Sequence, residues 1–343
     1  MAFPVGSSAQ KLTIDNSKVS GSANLTNFPV LVKDGNILDA TYASMEGDGD
    51  DIRFTTDEAG TSEIPFEIVA LDSEAKTCEI WVKLTVDHDD DTDFYIWYGD
   101  SSLSAYAANA TYGSENVWSD YRATYRLQDE IDATSNGFDL TNNDGVTFST
   151  AKIGDGAVVS DTPSYLTGQA SETVAMATTA FTISFWVKND SEITSSPAFS
   201  SYMFISDNNK VYCFLRYEYN GGTKRLMFER TKYGVEQIKV FGNVTMSNTW
   251  HHVALRWDGT NLKGYYDGSE IATGASASGS GSTAVSPSLD LQVTLGGMID
   301  EARLRQSALT PDWITTEYNN QNAPSTFITG SSIGGGRRIF LIS

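Results

Sequence analysis

Apolar and polar residues alternate with a period of two along much of this chain. That period places successive side chains on opposite faces of a pleated strand, so each run predicts a strand with one buried face. Before Gly99 such runs fall at Lys11–Asp15, Asn27–Lys33, Ile52–Thr55, Ile64–Val69, Glu79–Leu84 and Phe94–Gly99. They are short, rich in aromatic and β-branched residues, and separated by turns, the pattern of a β-sandwich. Ser101–Asn116, rich in Ala, Ser, Tyr and Asn, reads as a connector or a short helix. Further strands are predicted at Phe181–Lys188, Met203–Tyr219, Lys224–Arg230 and Leu291–Leu304. Ala272–Ser286 has too few apolar residues to fill a core and reads as a long exposed loop.

The sharpest pattern is Trp250–Gly268. Trp250, His252, Ala254 and Arg256 fall on one face of its first strand, and His251, Val253, Leu255 and Trp257 on the other. Asp258-Gly259 reverses the chain, because Gly reaches positive φ without a Cβ clash, and Asp267-Gly268 reverses it again. One stretch is helical instead. Ahead of Trp313-Ile314, Thr310 can cap, Pro311 suits the first helical position, and Asp312 favours the positive end of the helix dipole.

The run from Trp250 through Asp258-Gly259-Thr260 to Tyr266-Asp267-Gly268 resembles the late hairpin of laminin-G-like, concanavalin-A-like jelly-roll modules. Asp132–Leu140, Lys152–Ala157 and Ala308–Tyr318 extend that resemblance over about residues 121–327. Thr13-Ile14-Asp15, Phe28–Leu31, Asp50–Phe54, Ile64–Glu67, Trp81–Lys83 and Tyr95–Gly99 are similar to an uncharacterised β-sandwich domain. In bacterial surface and phage proteins that domain precedes laminin-G-like modules, and the match covers about residues 10–100. Arg126 stands where its pattern has a His, so no role is carried over to that position. The expected fold class is therefore all-β, with two antiparallel jelly-roll-type sandwiches in tandem and a short helix near the C-terminus. The boundaries expected are 1–115 for the N-terminal sandwich, 116–328 for the jelly roll, and 329–343 for a Gly-rich hinge and C-terminal arm.

The formal charge of −21 over 343 residues repels phosphate backbones, so no nucleic-acid partner is expected. Cys78 and Cys213 fall in different predicted domains and read as buried small hydrophobes rather than a disulfide. Met1–Ser8 has neither the basic start nor the apolar core of a secretory signal, and no membrane insertion is expected.

Chemistry is sparse. His251 and His252, adjacent on a strand, cannot share a metal, and His88 lies in the other module. No strand carries the paired carboxylates that glycoside hydrolysis needs, and no Gly-x-Ser-x-Gly elbow exists, so a non-enzyme is expected. Calcium is the expected cofactor, if any. Asp89 and Asp91, within Asp87–Asp93, supply oxygens at alternating positions, and the laminin-G resemblance implies a second set at Asp132, Asn136 and Asp300. A glycan is the expected ligand, with Tyr202, Tyr217, Tyr219, Tyr233 and Tyr265 as candidates for a platform, although spacing singles out none. The last residues, Arg337, Arg338, Ile339, Phe340, Leu341 and Ile342, read as an assembly arm that adds a strand to another subunit or to its own body.

These features predict a phage virion surface protein, either a capsid decoration or a tail fibre, that binds glycan and joins other virion subunits as a homo-oligomer or part of a larger assembly. The alternative is a secreted bacterial adhesin or polysaccharide-binding protein at the cell surface.

Overall fold

A computed structural model describes residues 8–160, 164–168, 180–206, 211–232, 236–246, 248–275 and 288–333. The chain divides into two compact units. One holds the residues up to Val117 together with those from Asn319 onward, and the other is Trp118–Tyr318. Both are built of antiparallel sheet, as the alternation predicts. No helix among the described residues is long and apolar enough to cross a membrane.

In the first unit one sheet runs Ile328–Ser332, Ser8–Ile14, Thr92–Tyr98, Arg53–Thr55, and the other runs Leu25–Lys33, Thr77–Val86, Phe66–Asp72. Phe54 of the first sheet meets Phe66 of the second with ring centroids 5.3 Å apart. The fourth strand of the larger sheet comes from the far end of the chain. Ile14 pairs with Ile328 and Gln10 with Ser332, and buried Asn36 donates to the carbonyls of Ile328 (2.8 Å) and Pro324 (3.0 Å). Residues 329–332 are thus a strand where the sequence predicts a hinge. Their polar side chains conceal it, because an edge strand is held by its backbone groups. Gly330 is required there, since a Cβ would sit 2.2 Å from the Asn36 carbonyl oxygen. Arg337–Ile342, the expected arm, lie outside the described residues.

In the second unit the larger sheet runs Ser269–Ala275, Asn261–Tyr266, His251–Trp257, Phe181–Asn189, Gly297–Arg305, Asp155–Val159, Thr147–Thr150, with Ala123–Tyr125 also paired to Gly297–Arg305. The smaller runs Glu236–Asn243, Thr223–Lys232, Val211–Asn220, Ala198–Ser206, Ser288–Leu291, Tyr165–Gly168, Thr141–Asn143. Their inner faces enclose one apolar core that includes Phe185, Val253, Leu255, Leu215, Phe228 and Val240. The sheets approach closely at Gly264, where a Cβ would lie 2.3 Å from the Phe228 ring.

The hairpin forms as its pattern predicts. Asp258 Oδ1 accepts from the backbone N–H groups of Thr260 and Asn261, and Gly259 has φ of 94°. Thr310 caps the helix Pro311–Asn322, its hydroxyl accepting from the Trp313 N–H at 3.1 Å. Both cysteines are buried, and no disulfide joins them.

Candidate functional site

The two faces of the second unit's sandwich are finished differently. On the outer face of the larger sheet, Trp186 and buried His252 pack against Tyr318, with ring centroids 5.8 and 6.2 Å from the tyrosine. Beside them Glu301 accepts from Arg126 (2.5 Å) and Arg303 (2.8 Å), and Arg303 also donates to Glu317 (3.1 Å). Trp118 covers both guanidinium groups, at 4.0 Å from Arg126 and 5.0 Å from Arg303. All of these ionic groups are buried, so this face is interior structure.

The outer face of the smaller sheet is open. Strand Glu236–Asn243 shows why: Ile238, Val240 and Gly242 face the core while Lys239, Phe241 and Asn243 are exposed. Across the sheet Phe199 pairs with Glu218, Glu218 with Arg225, and Arg225 with Asn243; one step along, Arg216 pairs with Met227 and Met227 with Phe241. Among the described residues the large apolar side chains most open to solvent are Ile131 (58%), Phe199 (51%) and Phe241 (40%), and the two phenylalanines share this face. They stand three strands apart, about 14 Å at the usual strand spacing.

Between the rings lies an ordered set of charges. Glu218 Oε2 accepts from Arg216 Nε (2.9 Å) and Nη2 (2.6 Å), while its Oε1 accepts from Arg225 Nε (2.8 Å) and Nη2 (2.7 Å). Each guanidinium also lies over an aromatic ring, Arg216 at 5.3 Å from Phe199 and Arg225 at 4.0 Å from Phe241. Such contacts fix the planes of otherwise flexible side chains. Next to this array Glu229 accepts from Tyr212 (3.0 Å), Thr231 (3.0 Å) and Gln237 (2.6 Å), with Lys239 at 3.5 Å. The face therefore offers two exposed aromatic rings, two oriented cations and the half-buried Tyr212 hydroxyl and Gln237 amide. That combination suits a polyhydroxylated chain lying flat across it.

The tyrosines suggested by the sequence do not form this surface. Tyr202, Tyr217 and Tyr265 are buried, Tyr219 is half-buried, and Tyr233 lies outside the described residues. Each buried one sits at a core or covered position of its strand, where a large ring adds apolar contact. Of the residues that do form it, Arg216, Glu218 and Arg225 fall in strands the alternation predicts, whereas Phe199 lies ahead of its predicted strand and Phe241 lies in the alternating run Ile238-Lys239-Val240-Phe241-Gly242-Asn243, outside the predicted strands.

The expected calcium ligands fall into separate hydrogen-bond groups. Asp132 accepts from the N–H groups of Thr124, Thr134 and Phe138 and from the Thr134 hydroxyl, so both its oxygens organise a loop. Asn136 donates to the Arg122 carbonyl, and Asp300 accepts from the Ile153 N–H. Asp89 lies with Asp87 and His88 in a group whose candidate ligand atoms are within 4.8 Å of one another. Asp91 instead accepts from the Asn16 N–H. The N–H groups of Asp89 and Asp90 that donate to Asp87 hold its carboxyl below the ordinary value. This loop is thus organised by its own backbone.

The first unit carries a recess of about 250 Å³ whose lining includes Asp48, Asp50, Arg53, Glu67 and Tyr106. Arg53 is committed to structure: it donates to the carbonyls of Asp50, Ile52 and Ser104 and stacks on Tyr106 at 4.2 Å.

Comparison with known proteins adds the following. Residues 160–315 match the family model of the Concanavalin A-like lectin/glucanases superfamily, and residues 48–136 match a domain of unknown function, DUF2341. No curated protein matches the chain. Among solved structures, domain 4 of an extracellular arabinanase from Geobacillus stearothermophilus, in complex with arabinotriose, is 21% identical. The alignment covers 57% of this chain and 96% of that domain, with a TM-score of 0.42. The botulinum neurotoxin serotype C1 binding domain is 12% identical over 59% of this chain and 52% of its own, with a TM-score of 0.49. The binding domain of Paraclostridial Mosquitocidal Protein 1 is 14% identical over 58% of this chain and 52% of its own, at 0.47. Residues 160–315 therefore form a laminin-G-like module of the concanavalin A-like superfamily, preceded at 48–136 by a domain of unknown function.

Proposed function

We propose that the protein is a non-enzymatic glycan-binding protein whose second unit takes a sugar chain on the outer face of its smaller sheet. The observation that carries this reading is the pair of exposed rings, Phe199 and Phe241, on one face with the Arg216–Glu218–Arg225 array between them. Membership of the module in a lectin/glucanase superfamily supports it. A binding rather than hydrolytic role is supported by how the carboxylates on this face are used. Glu218 is held between two arginines and Glu229 accepts from three donors, which leaves neither placed as the acid or base that glycoside cleavage requires. For the setting we propose a virion surface, which rests on the resemblance of the N-terminal domain to one that precedes laminin-G-like modules in phage and bacterial surface proteins.

The test is binding to an array of neutral and charged polysaccharides, followed by titration calorimetry on those retained. Replacing both rings (Phe199→Ala with Phe241→Ala) removes contacts worth about 1–2 kcal/mol each, an expected loss of at least tenfold in affinity at unchanged melting temperature. Retention of no glycan, or binding indifferent to the double substitution, overturns the assignment.

A further inference from the structure

We infer that this face selects glycans bearing negative charge, carboxylate or sulfate, over neutral ones; the inference rests on the glycan-binding reading above. Arg216 and Arg225 share one carboxylate, so the central array carries an excess positive charge. Both arginines spend Nε and Nη2 on Glu218, and among the described residues neither Nη1 makes a hydrogen bond. Glu218 has a side chain 5% exposed, whereas Arg216 and Arg225 are 30% and 27% exposed. The carboxylate thus lies beneath and the guanidinium groups stand above it, held by the aromatic rings on either side. Two oriented guanidinium edges beside a stacking surface make a receptor for a planar anion carried on a sugar ring.

The charge distribution agrees. On the outer face of strands Val211–Asn220, Thr223–Lys232 and Glu236–Asn243, Arg216, Arg225 and Lys239 stand against Glu218 and Glu229, a net positive charge within a chain whose formal charge is −21. At physiological ionic strength the screening length is about 8 Å, so a ligand lying on this face responds to the nearby cations more than to the distant acidic surface. The acidic remainder of the chain discourages indiscriminate binding of polyanions, which favours a face where the local balance is reversed.

The experiment uses matched ligands on the full chain. Polygalacturonate is compared with its methyl-esterified form, and dextran sulfate with dextran, by titration calorimetry at low and high salt. The two pairs distinguish carboxylate from sulfate. The expected result is at least tenfold tighter binding of one charged member than of its neutral twin, weakening with salt for the charged member only. Arg216→Gln with Arg225→Gln should erase that difference. The salt dependence on the unaltered protein keeps the test decisive if this variant fails to fold. Equal affinity for charged and neutral twins overturns the charge preference and leaves glycan binding standing. Failure of both charged members to bind also overturns it, while glycan binding is then judged on the neutral arm of the array.

Discussion

Single residues show best what alternation can and cannot reveal. It assigns His251 and His252 to opposite faces, and they lie so: His251 stacks on Tyr266 at 4.7 Å and bonds Asp267 at 2.9 Å, while His252 is buried against Trp186. What alternation could not reveal is their electrostatic surroundings. Burial, chiefly, pushes the His252 imidazole below its ordinary value; Arg303 and Lys152 push the same way, against Glu317 and Asp267. The unfolded chain, in contrast, takes up a proton near the ordinary value of about 6.5. Stability contributed by the neutral ring is thus complete above that value and lost as pH falls below it. Melting temperature should therefore fall between about pH 7 and about pH 5, and His252→Phe should flatten that part of the profile. Identical slopes in thermal melts of the two proteins would show that His252 does not set it. At position 126 the sequence shows only a departure from a family pattern, an Arg for a His; the structure supplies its partners, Glu301 and Trp118.

Elements were legible where both strand faces had clear partners. The hairpin His251–Trp257 to Asn261–Tyr266 is one, because its core face is apolar and its turns are marked by Asp-Gly. Strand Gly297–Arg305 was legible as a strand but not in its irregularity. Glu301 has φ of 52°, and the register with Phe181–Asn189 shifts between Ser184 and Trp186. Asp300 and Glu301 are thereby sent to different partners, the Ile153 N–H and the two arginines. Breaking a buried ion pair leaves a desolvated charge uncompensated, so Glu301→Gln should cost about 3–5 kcal/mol. Urea unfolding followed by tryptophan fluorescence measures this, and a change within experimental error would show that the cluster is dispensable. Strand Glu236–Asn243 was missed for the opposite reason: its solvent face carries Phe241, so the aromatic reads as core when exposure is unknown.

At the scale of the whole molecule, segments far apart in the chain, Ser8–Ile14 and Ile328–Ser332, pair in the first unit. Strand Ile328–Ser332 completes the sheet next to Ser8–Ile14, and buried Phe327 and Ile328 lie at its start. A chain ending at Tyr318 loses that strand, the bonds from Asn36 to Pro324 and Ile328, and the bonds between Asn320 and the Leu31 backbone. Such a truncation should lose the first unit's melting transition and expose residues before Val117 to protease, while Trp118–Tyr318 keeps its own transition. An unchanged first transition in calorimetry would show that the strand is ornamental. The sequence by itself determined the fold class, the hairpin and the helix cap, because these rest on period-two patterning and local turn chemistry, and its resemblance to a known family placed the second module. Only the tertiary structure decided which strand closes the first unit, which ionic groups are buried, and where an open aromatic and charged face remains. Those depend on pairing between residues far apart in the chain, where a given Phe or Arg is core or surface according to what lies across the sheet.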